Sequence, residues 1–337
     1  MTSKATIGRL MDFVRLQARL EPNKPIFSHF LGLTVATNDD DCSAPVRTDR
    51  FSFNDQQHLV FRYRFPDDQR FDQLQTNEPS LSTYTSILDE LTTYAVASAP
   101  KKDPRPGISV TMSSQWGPSA RKSALKEVDI VTTITKRGRT LAFLRAEVRD
   151  PKDNGVICYH EHVKYLPLGR LFSWILSPFG TWCLNLFLKY LAPYFSRFQK
   201  KETTHDYDPN ILETYQQTSD TTATFRYGAK HCNPLGGFHG GMHTILMEKL
   251  GTVVAQSELQ RVLGRSAVAE CQSLSVSYQS TASRVMELQA HVLDPPTTNH
   301  PSVRLRIEIL RKNTSSRRVV VSEGLLTFGL SSSQKDQ

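Results

Sequence analysis

Cysteine is scarce in this chain and unpatterned. Five occur among 337 residues, at positions 42, 158, 183, 232 and 271, and no two form a C-x-x-C pair. An odd, scattered set argues against a disulfide framework and a cysteine zinc site, and reads as reduced intracellular thiols. The N-terminus lacks the apolar core of a secretory leader: "SKATIGRLMDFVRLQAR" is basic, amphipathic and poor in acid, Asp12 excepted. That composition suits a mitochondrial transit peptide or an N-terminal docking helix, so a cytoplasmic or mitochondrial setting is expected. No long Lys/Arg block accompanies the formal charge of +8. A basic excess spread this way suits a small polyphosphate or an anionic membrane surface as well as it suits nucleic acid. The Lys-Ser/Thr end of a Walker loop is missing, and so is a G-x-S-x-G elbow. These absences leave no phosphate loop and no serine site of the α/β-hydrolase kind.

What is present is ordinary globular composition, 39% apolar and 22% charged, in a length that accommodates two domains. The pattern along the chain repeats itself. A strand-like run, "HLVFRYRF", precedes a helix-like segment over 80–99 in which Ile87, Leu88, Leu91 and Ala95 recur at helical spacing, with Ser80 and Ser82 as candidate N-caps. Four strand-like runs follow, from "GISVTMSSQW" to "GVICYHEHVKYL", joined by the turns "KRG" and "DPKDNG". The second half has the same order: "TTATFRYGA", the helix-like "GMHTILMEKLGTVVAQSELQRVL", then four runs ending in "RVVVSEGLLTFGL". A unit this long is no solenoid repeat, so two related domains are expected. Between them, residues 171–188 carry no charge, but Pro178, Gly180 and Asn185 interrupt the run. Two short apolar helices fit it better than a membrane span, and a peripheral membrane contact through 168–198 is admitted. The expected divisions are an amphipathic segment (1–25), a first domain (26–167), an apolar and aromatic insert (168–206), a second domain (207–330) and a tail (331–337).

The stretch "NPLGGFHGGMHTILMEK", residues 233–249, concentrates the chemistry. His239 and His243 are four apart, as in a zinc-protease helix, but Gly240 stands where the glutamate of that motif belongs. His160 and His162 alternate on a strand without a third ligand and read as solvated or core-edge histidines. No metal is expected. Gly240 and Gly241 open a helix, leaving bare N–H groups at its positive end, which suits an oxyanion or serves as a plain glycine turn.

These residues resemble the signature of hotdog-fold acyl-CoA thioesterases of the 4-hydroxybenzoyl-CoA and phenylacetate-pathway type. Asn233, the H-G-G at 239–241 and the acid Glu248 match its spacings. In the first half, "GISVTMSSQWGPSARKSALKEVDIVTTITKRGRTLAF" is similar to the post-helix strands of the small mammalian-type members. The resemblance implies an α+β double hotdog, two antiparallel sheets each wrapped around a long central helix and joined edge to edge. It also implies a site shared between two hotdog units, with H-G-G from one and acid and serine from the other. Aligning "SILDEL" puts Asp89 at the acid position and Ser109 at the strand serine, while the H-G-G positions fall on Ser80, Leu81 and Ser82. In the second half the strand serine falls near Cys271. One composite site follows: Asn233, His239 and the Gly240 N–H from the second half, Asp89 and Ser109 from the first. Glu248 is the alternative acid and is expected to be structural or vestigial.

The implied activity is hydrolysis of an acyl-CoA thioester to free acid and CoA, without a cofactor, CoA entering as part of the substrate. Its polyanionic end would meet Arg121, Lys122, Lys136, Arg137 and Arg139, with Gly241 beside the thioester. On this reading no nucleic-acid partner is expected, and a homodimer of double hotdogs is admitted. A non-catalytic acyl-CoA binder or scaffold is the main rival. A hotdog dehydratase or hydratase, which would carry a bulky residue and Pro after the His, is the lesser one.

Overall fold

The computed structural model describes Leu31 and residues 46–47, 58–65, 79–98, 107–120, 125–166, 210–233, 237–264, 267–312 and 317–331, with isolated positions between 179 and 186. The N-terminal segment, nearly all of the 168–206 insert, and Arg121 and Lys122 lie outside the described residues.

The first half runs β1 (Val46–Arg47), β2 (His58–Arg64), α1 (Leu81–Ser98), β3 (Ile108–Trp116), β4 (Glu127–Arg137), β5 (Leu141–Arg149) and β6 (Val156–Tyr165). The second runs β7 (Gln216–Gln217), β8 (Thr222–Arg226), a 3-10 turn (Ala229–His231), α2 (Gly240–Leu263), β9 (Ala269–Tyr278), β10 (Val285–Asp294), β11 (Ser302–Lys312) and β12 (Arg318–Leu330). The strand order is β1-β2-β4-β5-β6-β3-β9-β12-β11-β10-β8-β7, antiparallel at every pairing. Each half places its post-helix strand innermost, and the two meet at the centre.

The expectation of two sheets is therefore corrected to one sheet of twelve strands. Alone, β3 and β9 would each present an unpaired edge, which is costly to leave open. They pair instead, Thr111 with Ser277 through Gln115 with Ser273, and this is the edge-to-edge junction. The halves match in detail as well. A register shift interrupts the β3–β6 pairing next to Ser109, and another interrupts the β9–β12 pairing next to Cys271.

Both helices are wrapped by the sheet and contact one another. Unusually for so buried a helix, α1 is rich in hydroxyls, and Ser82, Thr83, Thr85, Ser86 and Thr92 are all buried. Several satisfy themselves locally: Thr85, Ser86 and Thr92 donate to the carbonyls of Leu81, Ser82 and Leu88, one turn back. The Ser80 hydroxyl accepts the Thr83 N–H as an N-cap. α2 begins at Gly240 with His239 as its N-cap and ends at Gly264, whose φ of 98° favours glycine. Among the described residues no helix is long and apolar enough to cross a membrane.

Candidate active site

Where α1 passes the start of α2, Asp89 from the first half meets His239, Gly240 and Gly241 from the second. Asp89 Oδ1 accepts the Ser109 hydroxyl at 2.7 Å and the Lys164 ammonium at 3.1 Å, while Oδ2 accepts the Gly241 N–H at 3.1 Å. The Gly241 N–H is shared with His239 Nδ1 at 3.0 Å. Because Nδ1 accepts there, the hydrogen-bond network assigns the ring proton to Nε2, which donates to Glu90 Oε2 at 3.0 Å. The Tyr94 hydroxyl holds the other Glu90 oxygen at 2.9 Å.

The glycines are required by proximity. A Cβ at 240 would lie 2.6 Å from Asp89 Oδ2, and one at 241 would lie 2.7 Å from Ser86 Cα and Cβ. Ser86 Cα is helix backbone and cannot step aside without moving α1. Gly241→Ala is accordingly expected to destabilise the fold by about 1–3 kcal/mol, read as a lowered urea midpoint. An unchanged midpoint would contradict the close crossing. The Gly240 N–H finds no acceptor among the described residues, and the Tyr278 hydroxyl holds the Gly240 carbonyl at 2.8 Å.

Electrostatically the cluster is built around Asp89. Burial by itself would raise this carboxyl, but the Lys164 ammonium first, then the His239 and His162 rings and the Ser109 hydrogen bond, hold it well below the usual carboxylate range. Lys164 Nζ donates to Thr93 Oγ1 at 2.8 Å, Asp89 Oδ1 at 3.1 Å, the Asp89 carbonyl at 3.2 Å and Ser109 Oγ at 3.3 Å. The Thr93 and Ser109 hydroxyl protons go to Asp89, so all four are acceptors for Nζ. Such a set suits an ammonium, although burial lowers the Lys164 pKa.

Four neighbours were not legible as site residues: Lys164, Glu90, His162 and Tyr278. The alternation His160, His162, Lys164 on β6 was the available signal, since three such residues two apart share one face. That face is the inner one. The reading of His160 and His162 as solvated or core-edge is overturned, because both are at most 2% exposed. Their Nδ1 atoms bond Ser114 Oγ and Thr92 Oγ1 at 2.8 Å each, and burial keeps both rings neutral.

The pseudo-symmetric counterpart is instructive. A constant offset carries Ser80, Ser82 and Asp89 onto His239, Gly241 and Glu248. Glu248 Oε2 accepts the Ser82 N–H at 2.8 Å, as Asp89 accepts that of Gly241. Among the described residues no cation replaces Lys164. Lys164 pairs with Ser109 across β6 and β3, and the matching pair across β12 and β9 is Phe328 with Cys271. Burial raises the Glu248 carboxyl, against its bonds to Ser82 and Ser80, and also raises the Cys271 thiol.

The remaining expected residues are less central. Asn233 closes its own loop, its Oδ1 accepting the Gly237 N–H at 3.1 Å, and it does not bond Asp89. His243 lies inward, bonded to Ser322 Oγ at 2.7 Å. Lys136 and Arg139 are exposed, but Arg137 donates to the Val96 carbonyl at 2.7 Å, near the C-terminal end of α1. Among the described residues no three His, Cys, Asp or Glu side chains are grouped to hold a metal.

Two long helices in one antiparallel sheet, with an acid of one helix at the other's N-terminus, define a tandem double hotdog. No family model matches the sequence, and no curated protein does. Among solved structures the fold is similar to the tesB protein of Mycobacterium avium subsp. paratuberculosis, 8% identical over 82% of this chain and 95% of that one, with a TM-score of 0.48. It is also similar to a putative oleoyl thioesterase from Lactobacillus plantarum (12%; 81% and 96%; 0.47) and to a 12:0-ACP thioesterase from Umbellularia californica (9%; 82% and 95%; 0.48). At such values no residue's role is carried across, and the chemistry rests on the geometry above.

Proposed function

We propose that the protein hydrolyses an acyl-CoA thioester at one composite site between its halves. The observation that carries this reading is a buried carboxyl, Asp89, paired with the Lys164 ammonium and set against the glycine amides that open a helix from the other half. The Gly240 N–H, at the positive end of the α2 dipole, polarises the thioester carbonyl and stabilises the oxyanion that develops on it. Asp89 acts in one of two ways: it attacks the carbonyl carbon directly, or it takes a proton from the water that does so. By direct attack an Asp89 acyl anhydride forms as the C–S bond breaks and CoA leaves as thiolate, and water then cleaves the anhydride to the free acid. By the water route the water oxygen bonds the carbonyl carbon, the C–S bond breaks, and the proton taken by Asp89 passes to the CoA thiolate. Ser109 aims the carboxylate, and His239, braced by Glu90, holds the start of α2 in place. Asn233 shapes the loop that delivers His239. The exposed Lys136 and Arg139, with Arg121 and Lys122, offer charge for the CoA phosphates, whereas Arg137 serves chiefly to cap α1. No cofactor is needed.

Release of free thiol from a panel of acyl-CoAs, short to long, tests the reading. Turnover on at least one member is expected. Saturable binding without turnover at any chain length would overturn it in favour of an acyl-CoA binder.

A further inference from the structure

The two pseudo-symmetric acid sites form an internal comparison. They share a buried acid on a central helix, a backbone N–H from the start of the other helix, and a strand residue beside a bulge. They differ most in charge: Asp89 has the Lys164 ammonium and two imidazoles beside it, whereas Glu248 feels the Glu270 carboxylate. We propose that Lys164 is a positioning residue for Asp89, the fixed cation that keeps this buried carboxyl ionised and aimed, and that Phe328 at the matching register leaves the Glu248 site without one.

The geometry supports this directly. Lys164 is 1% exposed, so its ammonium is screened by protein rather than by water. Its four acceptors fix it in one place, and two of them, Oδ1 and the carbonyl, belong to Asp89 itself. Around the carboxylate, β6 presents Lys164, with His162 Nε2 at 3.7 Å and His160 beyond it. The loop before α2 presents His239 Nδ1 at 3.4 Å from Oδ2, α2 itself presents His243, β9 presents Tyr278, and α1 presents Glu90. Burial keeps His160, His162 and His243 uncharged and Tyr278 protonated. Lys164 is the basic group nearest the carboxylate in this set, at 3.1 Å. Without it, burial should prevail and Asp89 should take up a proton near neutral pH.

As a role in catalysis this rests on the hydrolase reading; as a statement about ionisation it does not. The test therefore has two readouts. The first is the side-chain carbonyl shift of 13C-labelled aspartate, with Asp89→Asn assigning the signal. In the wild type, Asp89 is expected to stay ionised from pH 8 down to the pH at which the fold is lost. In Lys164→Met it should titrate above pH 5, and Lys164→Gln, which keeps a donor to Thr93, provides the same test if the methionine variant does not fold. Lys164→Arg should leave Asp89 ionised. An Asp89 that remains ionised in both neutral variants overturns the proposal. The second readout is the pH profile of kcat/KM, which should gain an acid limb in the neutral variants, with kcat falling far more than KM changes. Titration as expected with no thiol release from any acyl-CoA would leave the inference standing and overturn only the hydrolase reading.

Discussion

Asp89→Asn is expected to lower kcat for thioester hydrolysis by a factor on the order of 10²–10⁴, the range for loss of a positioned acid–base group. Glu248→Gln is expected to leave it within a few-fold. The two acids occupy equivalent places, so the contrast isolates their surroundings. An asparagine at 89 keeps an oxygen for the Gly241 N–H but can neither attack a carbonyl nor accept the proton of a water. Its side effect is on Lys164, which loses its counter-charge; a buried lysine in that position gives up its proton. Circular dichroism on the variant separates loss of chemistry from loss of fold. Glutamine at 248, by contrast, replaces an acid that burial already holds toward its neutral form, and its carbonyl still accepts the Ser82 N–H. Thiol release with wild type and both variants side by side measures the difference. Activity lost only in Glu248→Gln would sink the composite site.

The second large effect is on stability in acid. Four histidines are buried with depressed pKa values: His160 and His243 are pushed down to about 3, His231 to about 4, and His162 well below the ordinary value. Burial is the main cause in each. Unfolded, they titrate near pH 6.5. Between the two sets of values the unfolded chain binds protons that the native protein refuses, so stability falls as pH falls. Each such group contributes roughly 1.4 kcal/mol per pH unit in the middle of that interval. Glu248, whose carboxyl is raised by burial, opposes this trend. Asp89, held low, adds to the loss in acid, but only below the ordinary carboxylate range. The four histidines together therefore give a slope of up to roughly 5–6 kcal/mol per pH unit near pH 5. Against a typical total of about 5–15 kcal/mol, this should unfold the protein between pH 6 and 4. Urea midpoints taken from pH 7.5 downward give the slope, and a flat midpoint between pH 6.5 and 5 would refute it.

Much of the architecture was legible because it rests on local chemistry. Alternating apolar residues made the strands visible, and apolar spacing with serines and glycines at their starts made α1 and α2 visible. The number of sheets was not legible, because whether β3 and β9 pair is settled by satisfying two open edges far apart in the chain. The same limit applies to the site. Asp89 was reached through the repeated order of elements and a resemblance, and the structure sets it against Gly241. Lys164 escaped because a lone lysine near a strand end has the pattern of a solvated one. The two histidines before it share its inner face, and only packing shows that this face is buried.

By itself, then, the sequence determined the elements, their repetition and the residues able to open a helix with bare amides, since these follow from propensity and periodicity over a few residues. Only the tertiary structure decided which acid has a cation beside it. Asp89 and Glu248 are alike in their own segments; a cation at Lys164, set opposite Ser109 by strand register, separates them, and Phe328 in the matching place does not. Burial makes that single difference count, because in a dry interior a carboxyl keeps its charge only where a partner stands beside it.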